Sequence, residues 1–175
     1  MRILAHASAI RLGSDEEDRP LAAIFLGPSG AGKSTAATTF GKLGIIADDR
    51  VVLDVGAKEA RIATGDGLYR YAFLPDEEWV SLGAVFYLHQ SSELRVERLS
   101  REVLAGHLSR AIFELWWNRR LSVAERFGVV WGVWGLAGIV PGFDLFFEES
   151  SSWDSWLEVG LFPGRGGLLP ECGVV

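Results

Sequence analysis

Cysteine is almost absent from this chain of 175 residues, in which Cys172 stands alone. A single thiol excludes an internal disulfide framework and a zinc site built on cysteines. The opening segment, MRILAHASAIRLG, also lacks the long apolar stretch and the cleavage site of a secretory signal peptide. From these absences the sequence predicts a cytoplasmic protein.

Positive charge is also scarce in the chain. Lys and Arg number 17 against 23 Asp and Glu, the net charge is −6, and the longest basic run is Arg119-Arg120. A surface with this excess of negative charge disfavours binding to nucleic acid and to anionic membranes. The most apolar stretch, Phe127–Val140, is shorter than the about 20 residues that a membrane span requires. We therefore expect neither a nucleic-acid partner nor a membrane span.

The length and the composition are those of one globular domain. Hydrophobic residues make up 49% of the chain and charged residues 23%, which argues against disorder. We predict a single domain over residues 1–160. The segment FPGRGGLLPECGVV, rich in turn residues, predicts a loose tail over residues 161–175.

Apolar patterns and turn residues predict alternating strands and helices, and hence an α/β protein with a largely covered sheet. Glycines spaced by three or four over residues 128–138, and the pair Trp131 and Trp134, predict a helix face packed in the core. The same apolar helix leaves a homo-oligomeric interface open. Strands are expected at 2–10, 21–26, 45–47, 51–55, 60–64, 85–88, 94–99 (near 85–88) and 143–147, and helices at 33–43, 100–117, 121–137 and 152–158.

The strongest signal is the segment GPSGAGKS at residues 27–34, which fits the phosphate-loop pattern G-x-x-x-x-G-K-[ST]. A buried-type strand precedes it and a helix pattern follows it, whereas an ordinary glycine-rich turn needs no Lys-Ser at this offset. In such a loop the backbone N–H groups face phosphate oxygens, the lysine contacts the β- and γ-phosphates, and the next hydroxyl binds Mg²⁺. Thr35 is a candidate contact to the α-phosphate. The predicted nucleotide-binding residues are Gly27, Pro28, Ser29, Gly30, Ala31, Gly32, Lys33, Ser34 and Thr35.

A second signal is the acidic pair Asp48-Asp49, which follows the next predicted strand after one crossover helix. In a parallel strand–helix–strand unit this spacing places the acids beside the phosphate loop. One carboxylate can then hold Mg²⁺, and its neighbour can accept a proton from an attacking hydroxyl. The alternative, a solvated acidic turn, is less expected at this spacing from a phosphate loop.

These motifs resemble a known family: GPSGAGKST followed by GIIADDRV is similar to the catalytic domain of HPr kinase/phosphorylase, the bacterial serine kinase of the histidine-containing phosphocarrier protein. The resemblance extends to the phosphoenolpyruvate carboxykinase-like P-loop fold, and implies a mixed sheet flanked by helices. It is firm over residues 1–55 and motif-poor over residues 80–160. It implies that Asp49 accepts the proton during kinase action and that His6, in LAHASAI, lies near the transferred phosphoryl group. From the residues alone, a lone histidine on an apolar strand is more often a hydrogen-bonded core residue, and the resemblance makes the two interpretations equal.

The sequence departs from the family in two segments. The family's glutamate-arginine-glycine segment, which supplies a further Mg²⁺ ligand, has no match between Asp54 and Gln90. Near residues 140–143, where the family has proline-glycine-arginine-asparagine, the chain has no arginine. The resemblance therefore implies neither the reverse phosphorolysis nor the phosphocarrier protein as substrate.

The sequence predicts a Mg²⁺- and ATP-dependent kinase of the HPr kinase-like type, which transfers the γ-phosphoryl group to a hydroxyl, a serine of a protein or peptide being the expected acceptor. Lys33 would stabilise the phosphoryl group, Ser34 and Asp48 would hold Mg²⁺, and Asp49 would take the proton. Two alternatives stay open. One is a P-loop kinase of a small metabolite. The other is a non-catalytic ATP-binding regulatory module, which the missing second Mg²⁺ ligand favours and the intact acidic pair opposes.

Overall fold

The computed structural model describes residues 1–15, 17–41, 43–64, 78–116 and 122–148. In this part of the chain nine strands form one mixed sheet, and three helices flank it. The predicted α/β class and mixed sheet flanked by helices are confirmed. The strands are β1 (Arg2–Ala5), β2 (Ser8–Ser14), β3 (Pro20–Leu26), β4 (Ile45–Ala47), β5 (Val51–Val55), β6 (Ala60–Thr64), β7 (Glu78–Gln90), β8 (Arg95–Arg98) and β9 (Gly142–Phe147). The helices are α1 (Lys33–Phe40), α2 (Arg101–Trp116) and α3 (Val123–Ile139).

The centre of the sheet is β7, which runs parallel to β3 on one side and to β9 on the other. The strand order is β1-β5-β6-β7-β3-β2-β4, and β9 lies between β7 and β8. Along one side β7 changes partners, because residues 78–81 pair with β6 and residues 85–90 pair with β9. Since β3, β7 and β9 point the same way, the segments that follow them meet at one edge of the sheet, here called the carboxyl edge.

The strand β4 also ends at the carboxyl edge, although it is not a neighbour of β3. It pairs antiparallel with β2, which pairs antiparallel with β3, so β3 and β4 run in the same direction. The unit β3–α1–β4 is thus a parallel crossover with β2 inserted between its strands. Asp48 and Asp49, which follow β4, therefore lie beside the segment that follows β3.

Apolar side chains cover both faces of the sheet, as the continuous apolar run at 21–26 predicts for β3. On one face α2 and α3 pack on the strands through side chains that include Leu108 and Leu136. On the other face α1 packs through Phe40, whose ring meets those of Phe25 and Phe147. The start of α1 is thereby held against the ends of β3 and β9.

Three predicted strands differ from those observed. The single strand expected at 2–10 is broken at His6, because the His6 N–H donates to the carbonyl of Ala111 in α2 (3.0 Å) and the chain moves to a new partner. β1 consequently pairs with β5, and β2 pairs with β3 and β4. The strand expected at 85–88 extends over the whole of β7. The strand expected at 94–99, near residues 85–88, is β8, and it pairs with β9. It does not pair with β7, because β9 lies between the two.

The helix ends shift for local reasons. α1 ends at Phe40 instead of residue 43. Gly41 caps this end, and its N–H donates to the Ala37 carbonyl (2.8 Å). α3 begins two residues later than predicted because Ser122 caps it. The Ser122 Oγ accepts from the Glu125 N–H, and the Glu125 carboxylate accepts from the Ser122 N–H. The expected helix at 152–158, the tail at 161–175 and the domain limit at 160 lie outside the described residues.

The apolar helix α3 packs by its glycines and not by its tryptophans. Gly132 lies against Met1 and Ile3, so the small residues do face the neighbouring strands. The prediction that Trp131 and Trp134 belong to the core is wrong, because their exposed fractions are 83% and 41%. They lie on the part of the helix surface that the sheet leaves uncovered, as do Phe127 and Val130. Within the described ranges, no helix is long and apolar enough to cross a membrane.

Candidate functional site

The glycine-rich segment 27–32 joins β3 to α1 at the carboxyl edge. Its turn depends on glycine most clearly at Gly32, which has a left-handed backbone (φ 89°) and begins α1. A Cβ at this position would lie 3.1 Å from Cζ of Phe147, so the backbone rests directly on that ring. The first N–H groups of a helix have no partner within it, and together with the helix dipole they make the start of α1 suited to an anion.

Lys33 is folded back into the loop. Its side chain is only 8% exposed, and its Nζ donates to the carbonyls of Gly27 (3.0 Å) and Pro28 (3.2 Å). Burial lowers the pKa of Lys33 because it removes water from the ammonium group. The negative charges of Glu114, Asp49 and Asp48 act on this pKa in the opposite direction. The ammonium is thus desolvated and held by neutral carbonyls, which phosphate oxygens can replace.

Asp48 accepts three hydrogen bonds from groups around the loop. The Oγ atoms of Ser8 (2.6 Å) and Ser34 (2.9 Å) and the Asp49 N–H (3.1 Å) all donate to its Oδ1, so none of them occupies Oδ2. Burial acts to raise the pKa of Asp48, but the hydrogen bonds outweigh it and lower that pKa below its ordinary value. Asp48 is therefore an anchored, ionised carboxylate beside the Ser34 hydroxyl.

Asp49 points away from its neighbour. Its backbone is left-handed (φ 70°), and 65% of its side chain is exposed. Its Oδ1 lies 3.3 Å from Nε2 of His6, and its Oδ2 lies 3.5 Å from Nε of Arg50. The two adjacent carboxylates are thus separated into one anchored and one open to an incoming group.

His6 links Asp49 to helix α2. Its Nδ1 lies 2.9 Å from Oε2 of Glu114, and the other carboxylate oxygen of Glu114 lies 3.7 Å from Nε of Arg110. The break between β1 and β2 places this imidazole at the carboxyl edge and not within a strand. The structure therefore places His6 and both aspartates around the start of α1, where Lys33 and Ser34 lie.

Two residues at this site are absent from the sequence predictions. Ser8 is fully buried and donates to Asp48 from a position 40 residues away in the chain, and Glu114 contacts His6 over 108 residues. The place of Ser8, two residues after His6, is the only signal that could have suggested it. Nothing in the sequence marks Glu114, an ordinary acidic residue of a helix.

A groove of about 490 Å³ opens on the other side of the loop. The Gln90 side chain forms part of its wall and donates from Nε2 to the Gly30 carbonyl (3.2 Å). The wall thus combines the ends of β7 and β9 with the first turn of α1. Its lining residues are Ala31, Gly32, Thr35, Gln90, Ser91, Ser92, Phe147 and Glu148.

The donor set for a metal ion is small. In the described ranges no group of three or more His, Cys, Asp and Glu side chains is arranged to hold a metal. Ser34 and Asp48 offer two adjacent oxygen ligands. Mg²⁺ is usually held by one or two protein oxygens, with phosphate oxygens and water completing its octahedron, so this pair fits Mg²⁺ bound together with a nucleotide.

No protein-family model matches the chain, and no curated protein matches it. The geometry at the carboxyl edge is therefore the basis for the functional proposal.

Proposed function

We propose that the chain is a Mg²⁺- and ATP-dependent kinase of the HPr kinase-like P-loop type, which phosphorylates a hydroxyl group, with a serine of a protein or peptide as acceptor. One observation carries the proposal. The glycine-rich loop is flanked by two carboxylates with different surroundings: Asp48 is bonded to Ser34, and Asp49 is exposed beside His6. A protein that only bound phosphate would need at most one of them.

The loop supports binding of a triphosphate. The backbone N–H groups at the start of α1 face the phosphates, and Lys33 exchanges the carbonyls of Gly27 and Pro28 for β- and γ-phosphate oxygens. Thr35, in the first turn of α1, contacts the α-phosphate. Ser34 and Asp48 would hold Mg²⁺, which supplies charge neutralisation between the β- and γ-phosphates when bound. Desolvation of Lys33 favours this exchange, because a phosphate restores charge pairing to a buried ammonium.

The exposed Asp49 supports phosphoryl transfer. The acceptor oxygen attacks the γ-phosphorus, the bond from that phosphorus to the β–γ bridging oxygen breaks, and ADP leaves. The proton of the acceptor hydroxyl passes to an Asp49 carboxylate oxygen, which its exposure leaves accessible. His6, held by Glu114 at 2.9 Å, keeps the Asp49 side chain at the loop and lies near the transferred group.

The experiment is phosphoryl transfer from γ-labelled ATP with Mg²⁺, with a bacterial lysate as the source of acceptors. The Lys33→Ala variant is the negative control. A labelled protein or peptide that the variant fails to label supports the proposal and yields the substrate. Label in small alcohols alone would indicate a metabolite kinase. ATP binding without any transfer or release of phosphate would indicate a regulatory module and contradict the proposal.

A further inference from the structure

Helix α3 has two apolar faces, and the sheet and α2 cover one of them. The other, here called the outer face, consists of Val123, Phe127, Val130, Trp131 and Trp134, all of which are exposed. These residues recur every three or four positions, so they form one continuous stripe along the helix. No charged residue lies between positions 127 and 138. Since a helix that is apolar all round is normally buried all round, the pattern indicates that a partner covers the outer face.

The area of the outer face matches one half of a small protein interface. A whole aromatic residue has about 150–250 Å² of surface, so the exposed parts of Phe127, Trp131 and Trp134 present about 300–500 Å². With Val123 and Val130 the face offers about 500 Å², close to the largest apolar patches found on monomeric proteins. Two such faces packed against each other would remove about 1,000 Å² from water, which reaches the lower limit for a specific interface.

The order of the residues along the outer face is symmetric about the point between positions 130 and 131. Phe127 and Trp134 lie at equal distances from this point, and so do Val123 and the exposed Gly138. In an antiparallel pair of α3 helices with a two-fold axis at this point, each Phe127 faces the Trp134 of the other copy. Each Val123 faces the Gly138 of the other copy, which has no side chain to obstruct it. The face is therefore complementary to itself, as a two-fold interface requires.

We infer that α3 packs antiparallel on α3 of a second copy of the chain, so that the protein is a two-fold dimer through the outer face. The antiparallel direction sets the two helix dipoles against each other, whereas a parallel pair would align them. A membrane is a poorer occupant of this face, because the net charge of −6 opposes adsorption to anionic lipids. The inference is independent of the proposed function.

The first test is sedimentation velocity of the full chain at increasing concentration, in which wild type should reach the mass of two chains. Trp131→Glu places two like charges at the centre of the interface. It should weaken self-association about 30-fold or more, the loss typical of a central aromatic residue. Because Trp131 is 83% exposed, the single chain should keep its fold. Leu43→Glu is the matched control, since Leu43 is also exposed but lies between α1 and β4, and it should associate like wild type.

Three results would overturn the inference. The first is a wild-type chain that stays monomeric up to about 100 µM, whether residues 149–175 or another partner then covers the outer face. The second is a dimer that Trp131→Glu leaves unchanged, because a different surface would then hold the two copies together. The third is an equal loss of association in Leu43→Glu. Circular dichroism of each variant shows whether it is folded.

The second test fixes the direction of the two helices without introducing charge. In a chain that carries Cys172→Ser, Val130→Cys places a thiol beside its equivalent near the two-fold axis. Val123→Cys, a matched change at another exposed valine of α3, separates the two thiols by about 20 Å along the helices. We expect a short bismaleimide to cross-link Val130→Cys into dimers and to leave Val123→Cys largely monomeric. Equal cross-linking at the two positions would overturn the antiparallel arrangement, and its absence at position 130 would overturn the helix pair.

Discussion

Replacement of Asp49 by asparagine removes the proton acceptor and leaves the backbone undisturbed. Among the described residues, Asp49 and Asp18 are the non-glycine residues with a left-handed backbone, with φ angles of 70° and 60°. Asparagine is one of the few residue types that adopt this conformation readily. Asp49→Asn therefore tests the carboxylate, whereas alanine would add backbone strain and confuse the result.

The expected effects on stability and on rate are very different in size. The Asp49 side chain is 65% exposed, and its contacts to His6 and Arg50 lie at 3.3 and 3.5 Å. Exposed ion pairs of this kind contribute about 0–1 kcal/mol, so the free energy of unfolding should fall by less than about 1 kcal/mol. Loss of a general base slows transfer by about 10²–10⁴, or about 3–5 kcal/mol in activation free energy.

The assay measures transfer of labelled phosphate and, separately, the Kd for Mg²⁺-ATP. The matched control is Asp18→Asn, because it makes the same change at the other left-handed aspartate, which lies between β2 and β3 at the opposite end of β3 from the loop. We expect Asp18→Asn to behave as wild type in both measurements. Wild-type transfer by Asp49→Asn, with unchanged ATP affinity, would refute the assignment of Asp49 as proton acceptor.

Three further predictions concern the loop. Lys33→Met should weaken ATP binding about 10- to 100-fold by titration calorimetry, because a charged hydrogen bond contributes about 1.5–3 kcal/mol. The melting temperature should not fall, because burial disfavours the charged form of Lys33. Marked unfolding of the variant would contradict this prediction. Ser8→Ala should lower the free energy of unfolding, measured in urea at pH 7, by about 1 kcal/mol. Burial acts to raise the pKa of Asp48, and the Ser8 hydrogen bond helps to lower it by stabilising the ionised carboxylate. That stabilisation is present above the ordinary aspartate pKa of about 4 and is lost as the pH falls through the folded-state pKa. The difference in unfolding free energy between Ser8→Ala and wild type should therefore shrink on acidification. A difference that stays constant with pH would argue against this prediction. Gly32→Ala should weaken ATP binding more than Gly30→Ala does. Both changes add about 1–2 kcal/mol of backbone strain in the left-handed region, but only at Gly32 would the new Cβ meet the Phe147 ring. Equal losses of ATP affinity in the two variants would contradict this packing.

Short-range features follow from the sequence because the residues that make them are adjacent. The apolar run 21–26, the glycines after it and the helix pattern from Lys33 predict a strand, a loop and a helix, and the structure has β3, that loop and α1. The hairpin of β5 and β6 follows in the same way from a turn between two alternating runs. Propensity and turn chemistry act over a few residues, so they need no knowledge of the rest of the fold.

Contacts between distant residues depend on the completed sheet. Ser8 bonds Asp48 only because β2 is inserted between β3 and β4, an order that no local pattern specifies. His6 meets Glu114 because the chain breaks between β1 and β2 and α2 packs across that break. The exposed Trp131 likewise reflects which face of α3 the sheet covers. The sequence thus determined which residues form the loop and its flanking elements. The tertiary structure decided which side chains surround Lys33, because hydrophobic packing, which is not directional, selects the partners of whole elements.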